Sequence, residues 1–137
     1  MQDHKTMQMN DLSSDTFKRR TAQPGEIVFL EGQPADNAFI ILKGHAEVVI
    51  FGPKGELVPI NRMGPGELFG ELALLTNKKT RTATVTAADE CELLEIKREV
   101  FEGRLAKADP LVRFILDHVS KRLVQLTDKI ATENSGT

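Results

Sequence analysis

Turn-forming residues punctuate this chain at short intervals: Pro24-Gly25, Gly32 with Pro34, Lys43-Gly44, Gly52-Pro53-Lys54-Gly55, Gly64-Pro65-Gly66, and Asn77 beside Lys78 and Lys79. Glycine opens the positive-φ region and proline removes a backbone donor, so no long helix or interior strand can run through these points. What lies between them is mostly β-branched or aromatic and partly alternating: residues 26–31, 39–43, Ala46–Phe51, Leu57–Met63, 82–87 and 92–96. Each is predicted to be a strand. In Ala46–Phe51, alternation puts Ala46, Val48 and Ile50 on one face and Glu47, Val49 and Phe51 on the other. Six or more short strands on so small a chain predict a sandwich, jelly roll or barrel.

Past Ile96 the period changes. Phe101 and Leu105, four apart, suggest a short helix over 97–106, weakened at Gly103. Asp109-Pro110 then supplies an N-cap followed by proline in the first helical position. From there Leu111, Ile115, Val119, Leu123, Leu126 and Ile130 form one helical stripe, predicting a helix over 110–131. Val112, Phe114 and Leu116 widen the stripe in its first half, which is expected to pack on the β domain while the second half projects or folds over something. Residues 1–19 read as a flexible or partly helical lead-in with a short helical turn near 12–19, residues 20–131 as the domain, and 132–137 as a frayed tail.

Composition narrows the function. The 137 residues suit one domain, and 18 Lys plus Arg against 20 Asp plus Glu give a net charge of −2. No basic excess exists to hold a polyanion, so direct DNA binding is not expected. The single cysteine, Cys91, forms no internal disulfide, and no signal-like start or bilayer-length apolar run is visible. A soluble protein of the reducing cytoplasm is expected, without membrane insertion. Cys91 lies between Glu90 and Glu92, acids that raise rather than lower a thiol pKa, so it reads as structural.

The most informative stretch is 64–85. It holds a glycine, an acid, an apolar helical turn, a polar loop, and an arginine with threonines entering a strand. If residues 71–75 form one helical turn, its free N–H groups point toward Gly70, where no Cβ blocks an anion. Arg81 can add a two-pronged contact to a phosphate oxygen. Glu71, an acceptor only, suits a sugar hydroxyl. The set fits a ribose joined to a phosphate. Taken singly, each residue has a plainer reading: Glu71 as an acid favoured at a helix start, Arg81 as a surface charge, Thr82 as a good strand residue.

The run Phe69-Gly-Glu-Leu-Ala-Leu-Leu75 followed by Arg81-Thr-Ala-Thr-Val85 closely resembles the phosphate-binding cassette of the cyclic-nucleotide-binding domain family, the type found in catabolite activator protein, protein kinase A regulatory subunits and cyclic-nucleotide-gated channels. The resemblance extends through Pro24-Gly-Glu-Ile-Val-Phe-Leu-Glu-Gly-Gln-Pro-Ala-Asp36 and Ile40-Ile-Leu-Lys-Gly44, covering about residues 20 to 125. It implies a mainly β fold with C-terminal α: an eight-stranded antiparallel jelly roll with a short phosphate-binding helix and C-terminal helices. It also implies that Glu71 binds the ribose 2′-hydroxyl and Arg81 the phosphate. Amides near Leu72 and Ala73, with Gly70 allowing approach, would complete the cradle, joined by Thr82 through its amide and hydroxyl. Two features depart from the pattern: Thr80 stands where many members have proline, and the loop 76–80 looks one residue longer than in the kinase subunits. Neither removes a binding group.

Strand parity nominates Val49, Met63, Leu68 and Val85 as apolar pocket wall, and the family's lid implies Arg122, Leu123 and Leu126 on the last helix. The ligand expected is cyclic AMP, with cyclic GMP as the alternative, in a regulatory module that performs no catalysis, uses no cofactor and signals by moving its C-terminal helices. Two other classes compete with this reading. A cupin-type metalloenzyme needs clustered ligands, but His4, His45 and His118 fall in the lead-in, a turn and a helix with no paired spacing, so no metal is expected. A degenerate domain that dimerises through its last helix and binds no nucleotide is the other. A homodimer through that helix and an unknown downstream protein effector remain open, as does whether the module is free-standing or part of a larger chain.

Overall fold

The computed structural model describes residues 17–76 and 79–135, the segment 127–135 as backbone only. Eight strands precede or flank three helices: β1 (Lys18–Ala22), β2 (Ile27–Phe29), β3 (Asn37–Lys43), β4 (Ala46–Phe51), β5 (Leu57–Met63), β6 (Leu68–Phe69), α1 (Leu72–Leu75), β7 (Thr84–Ala87), β8 (Cys91–Lys97), α2 (Arg98–Ala106) and α3 (Pro110–Ser135). They form two four-stranded antiparallel sheets, ordered β1-β8-β3-β6 and β2-β7-β4-β5. This is the expected mainly β jelly-roll architecture with C-terminal helices.

The core lies between the sheets. Phe39 and Ile41 of β3 and Leu93 of β8 meet Val28 and Phe29 of β2, Val85 and Ala87 of β7, and Ala46 and Met63 from β4 and β5. With no tryptophan or tyrosine in the chain, phenylalanine supplies the bulk. Phe29, Phe39 and Phe69 pack as a trio with centroids 5.2 to 6.1 Å apart, within the range where aromatic rings attract beyond simple burial. A second, smaller cluster joins Ala35, Ala38, Ala73 and Leu74, with Phe101 of α2 packed against it.

Three expectations change. The helical turn near 12–19 is, over its described part, the start of strand β1, which pairs along β8 from Lys18↔Glu95 to Ala22↔Cys91; residues 12–16 lie outside the described residues. An edge strand with one covered face need not look apolar, and β1 is basic and largely exposed. The helix of 110–131 continues through Ser135, where a frayed tail was expected from 132. Its start is as expected: the Asp109 carboxylate accepts the Leu111 N–H at 2.8 Å. The first half of α3 does not pack on the β domain. Leu111, Val112, Phe114 and Leu116 are all exposed, Phe114 at 67%. Ser120 is the buried residue of the described α3 side chains, with its hydroxyl donating to the Leu116 carbonyl at 2.6 Å. The helix therefore meets the domain beside α1, where Arg113 and Asp117 share a pocket with Leu74 and with Glu102 and Leu105 of α2, and leaves its apolar stripe largely exposed.

Cys91 is fully buried and donates to the His45 carbonyl at 2.9 Å. Burial first, and Asp89 second, hold its thiol above the ordinary value, in keeping with a structural role. His45 and Asp89 tie the β3–β4 turn to the β7–β8 turn, with Nδ1 and Oδ2 2.9 Å apart. Among the described residues, no three metal-ligating side chains cluster and no helix is long and apolar enough to cross a membrane.

Phe39→Ala should lower unfolding free energy by about 3–5 kcal/mol, the usual cost of truncating a buried phenylalanine. Phe114→Ala should change it by less than about 0.5 kcal/mol, measured by urea denaturation at a concentration where the chain is monomeric. A large loss from Phe114→Ala in the monomer would place α3 inside the cooperative core.

Candidate functional site

The sequence between β6 and β7 folds back over one end of the β2-β7-β4-β5 sheet and encloses a cavity of about 310 Å³, within the usual range for small-ligand sites. Its sheet wall is one row in register: Phe29 pairs with Val85, Val85 with Val48, and Val48 with Asn61. All four line the cavity, as do Gly70, Glu71, Leu72, Ala73, Arg81 and Thr82. The six residues nominated as the ligand grip are thus brought together.

Arg81 is only 5% exposed. Backbone bonds from Gly32 N–H to the Arg81 carbonyl at 2.9 Å, and from Arg81 N–H to the Gln33 carbonyl at 2.8 Å, pin its main chain to the turn after β2. Its guanidinium lies 4.0 Å over the Phe29 ring. One end nitrogen donates to the Gly70 carbonyl at 3.1 Å and the other to the Asn37 side-chain oxygen, while Nε is buried with no partner. Burial pushes its pKa down to about 10, opposed by Asp36, so the group stays cationic at neutral pH. Both protein acceptors are neutral, and Arg81 makes no ion pair among the described residues. A buried cation with an unsatisfied N–H and uncharged partners is costly unless an anion completes the site.

Asn37, at the start of β3, was not identified in the sequence. It accepts from Arg81 and donates to Glu95 on the neighbouring β8, fixing its amide between a cation and an anion. No motif marks it; its role follows from β3–β8 pairing, which sequence reading does not supply.

Gly70 has φ +79, and a Cβ there would lie 3.0 Å from Arg81 Nη1 and 3.2 Å from the Phe29 ring. Both backbone conformation and space therefore require glycine. The one-turn α1 follows. Its first intrahelical bonds run from Leu74 and Leu75 to the Glu71 carbonyl, so the amides of Leu72 and Ala73, two residues that line the cavity, precede them without helical partners. Glu71 makes no side-chain capping bond. Desolvation by burial raises its pKa above the usual carboxylate value, opposed by a hydrogen bond from its own backbone N–H. Thr82 is exposed at the rim.

The apolar wall follows the nomination in part. Met63, Leu68 and Val85 line the cavity, but Val49 does not; Val48 does. Neighbouring side chains on one strand point to opposite faces, so the two cannot share this wall, and Val49 is buried elsewhere. Phe29 and Phe69 complete the apolar floor and were missed. The lid nominees Arg122, Leu123 and Leu126 do not line the cavity. All three are exposed on α3, which meets the domain beside α1 but contributes no residue to the cavity wall.

Comparison with known proteins places the chain in a family. The family model described as cyclic nucleotide-binding domain matches residues 19–108, and the chain belongs to that family. Among solved structures, it resembles the EAL enzyme Bd1971 in its cAMP-bound form, with TM-score 0.69 and 32% identity over 85% of this chain and 31% of that one. The cGMP-bound form of the same enzyme gives TM-score 0.71 at 32% identity, with 85% and 32% covered. The regulatory domain of Toxoplasma gondii PKA with cAMP gives TM-score 0.63 at 27% identity, with 81% and 40% covered. A curated relative, lysophospholipase nte1 of Aspergillus fumigatus, is 28% identical over 110 residues, which are 80% of this chain and 7% of that protein.

Gly70→Ala should cost at least about 1–2 kcal/mol from the left-handed backbone alone and displace the Arg81 side chain, visible as a lower melting temperature. Glu71→Gln should do the opposite at neutral pH. An acid whose pKa is raised on folding takes up a proton as it folds, so its ionised form opposes stability above the folded pKa. The glutamine variant should therefore melt at or above the parent at pH 7. The parent alone should gain stability as pH falls through the raised pKa toward the ordinary value of 4.5.

Proposed function

We propose that this chain is a non-catalytic sensor that binds a cyclic nucleotide, cyclic AMP first and cyclic GMP as the alternative. The observation that carries the reading is the buried, un-neutralised Arg81 guanidinium, sharing one cavity with the free amides of α1 and the Glu71 carboxylate. In this reading Arg81 and the Leu72 and Ala73 amides hold the cyclic phosphate, Gly70 lets it approach, and Thr82 adds its amide and hydroxyl. Glu71 accepts from the ribose 2′-hydroxyl. The apolar row of Val85 and Val48, with Met63 and Leu68, receives the purine and sugar faces. The bound ligands named for the similar structures support the ligand class.

Signal output would pass through the helices. Ala73 and Leu74 of α1 pack with Phe101 of α2, and α2 leads directly into α3. Ligand that repositions α1 favours the arrangement in which α3 closes, bringing Arg122, Leu123 and Leu126 toward the cavity mouth, and its differential affinity for the two arrangements sets the shift. The exposed α3 stripe favours a second reading, a dimerisation domain that binds no nucleotide. The downstream partner is a separate protein or another segment of a larger chain.

Calorimetry and thermal melting with each nucleotide separate these readings. At 100 times the dissociation constant, ligand should add about 2.7 kcal/mol, or about 5–11 °C at roughly 2–4 °C per kcal/mol. Arg81→Ala should weaken binding by about two to four orders of magnitude, the loss of two charge-assisted hydrogen bonds at about 1.5–3 kcal/mol each. No heat and no melting shift with millimolar cyclic AMP or cyclic GMP would leave the dimerisation reading standing.

A further inference from the structure

At the Arg81 end of the cavity, the guanidinium is held by the Gly70 carbonyl and the Asn37 side chain. Of the cavity's other polar side chains, Glu67 accepts from the Gly64 N–H at 2.8 Å, and Asn61 stands on β5 at the opposite end of the same wall. It pairs with Val48 in register and lines the cavity, yet its amide has no hydrogen-bond partner among the described residues. Asn37, the comparable amide near Arg81, has both of its ends occupied.

The row Phe29–Val85–Val48–Asn61 crosses four strands, so Asn61 lies three strand spacings, about 14 Å, from the ring that carries Arg81. A ligand held by its phosphate at the Arg81 end and lying over Val85 and Val48 must present its far edge to Asn61. Resting on the cyclic-nucleotide reading of this cavity, we propose that Asn61 is a specificity-determining residue that selects adenine over guanine. An asparagine amide matches adenine in two places, its NH2 donating to N7 and its oxygen accepting from the N6 amino group. Guanine offers two acceptors, N7 and O6, at that edge. The amide can serve only one of them, and its oxygen then faces the other.

Binding of cyclic AMP, cyclic GMP and 7-deaza cyclic AMP to the parent chain and to Asn61→Ala, by calorimetry, tests this. Asn61 is exposed, so the variant should melt with the parent. The parent should prefer cyclic AMP by about 5–150-fold, the worth of a good two-point base contact. Asn61→Ala should lose that preference by weakening cyclic AMP while leaving cyclic GMP within about threefold. The 7-deaza analogue should bind the parent more weakly than cyclic AMP, and bind the variant equally well. A preference unchanged in the variant, equal loss of both nucleotides, or a parent that favours cyclic GMP overturns the proposal while leaving the nucleotide site intact. A parent that binds none of the three overturns the nucleotide reading itself, and this proposal with it.

Discussion

The site depends on a cation kept buried without a counter-charge. A carboxylate beside Arg81 would stabilise the unliganded fold, but it would also cancel the charge and compete with any anion for the guanidinium fork. This chain uses a carbonyl oxygen at Gly70 and an amide oxygen at Asn37 instead. They orient the group and leave its charge in place. The nearest acids act at longer range: Asp36 and Glu95 favour the charged form without contacting it, and Glu95 is itself engaged by Asn37.

Much of the surrounding structure follows from keeping that cation in position. Phe29 offers its face as a support, and the stacked Phe39 and Phe69 hold Phe29 from behind. The isolated bridge Pro34↔Thr80 and the bonds between Arg81 and the 32–33 turn bring the loop after α1 onto the sheet. Thr84 Oγ1 accepts from Glu31 N–H at 2.9 Å just beyond, extending the same seam into β7. The loop is therefore fixed on both sides of its arginine, and the short helix α1 needs little stability of its own.

What could be read from sequence depended on how local the determinant was. Asp109-Pro110 fixed the start of α3 because capping is decided within a few residues. The Gly64–Gly66 turn and Gly70 announced themselves for the same reason. β1 was missed because its covered face is set by pairing with β8 rather than by apolar alternation in Lys18–Ala22. β6, with two residues, is too short to carry a period. The grip of Gly70, Glu71, Leu72, Ala73, Arg81 and Thr82 was legible because it comes from one contiguous segment. Asn37 and Phe29 come from strands far away in the chain and were not. The stripe on α3 identified an apolar face correctly but not what covers it, since amphipathicity states a need and not a neighbour. Asn61 sits two positions before Met63 on the same strand, so parity that nominated one could have nominated the other.

Helix α1 is a single turn with two working sides. Its leading residues line the cavity, and its Ala73 and Leu74 side chains sit in a cluster lined chiefly by alanine, with Phe101 packed against it. Alanine surfaces offer few alternative rotamers, so such a cluster cannot absorb a displacement by side-chain rearrangement. Under the proposed signalling, movement of the amides by even a fraction of an ångström would be passed to the phenylalanine as a rigid shift. In the proposed sensor, the stiffness of that small cluster, rather than the size of the domain, would set how faithfully events at the cavity reach the helices beyond it.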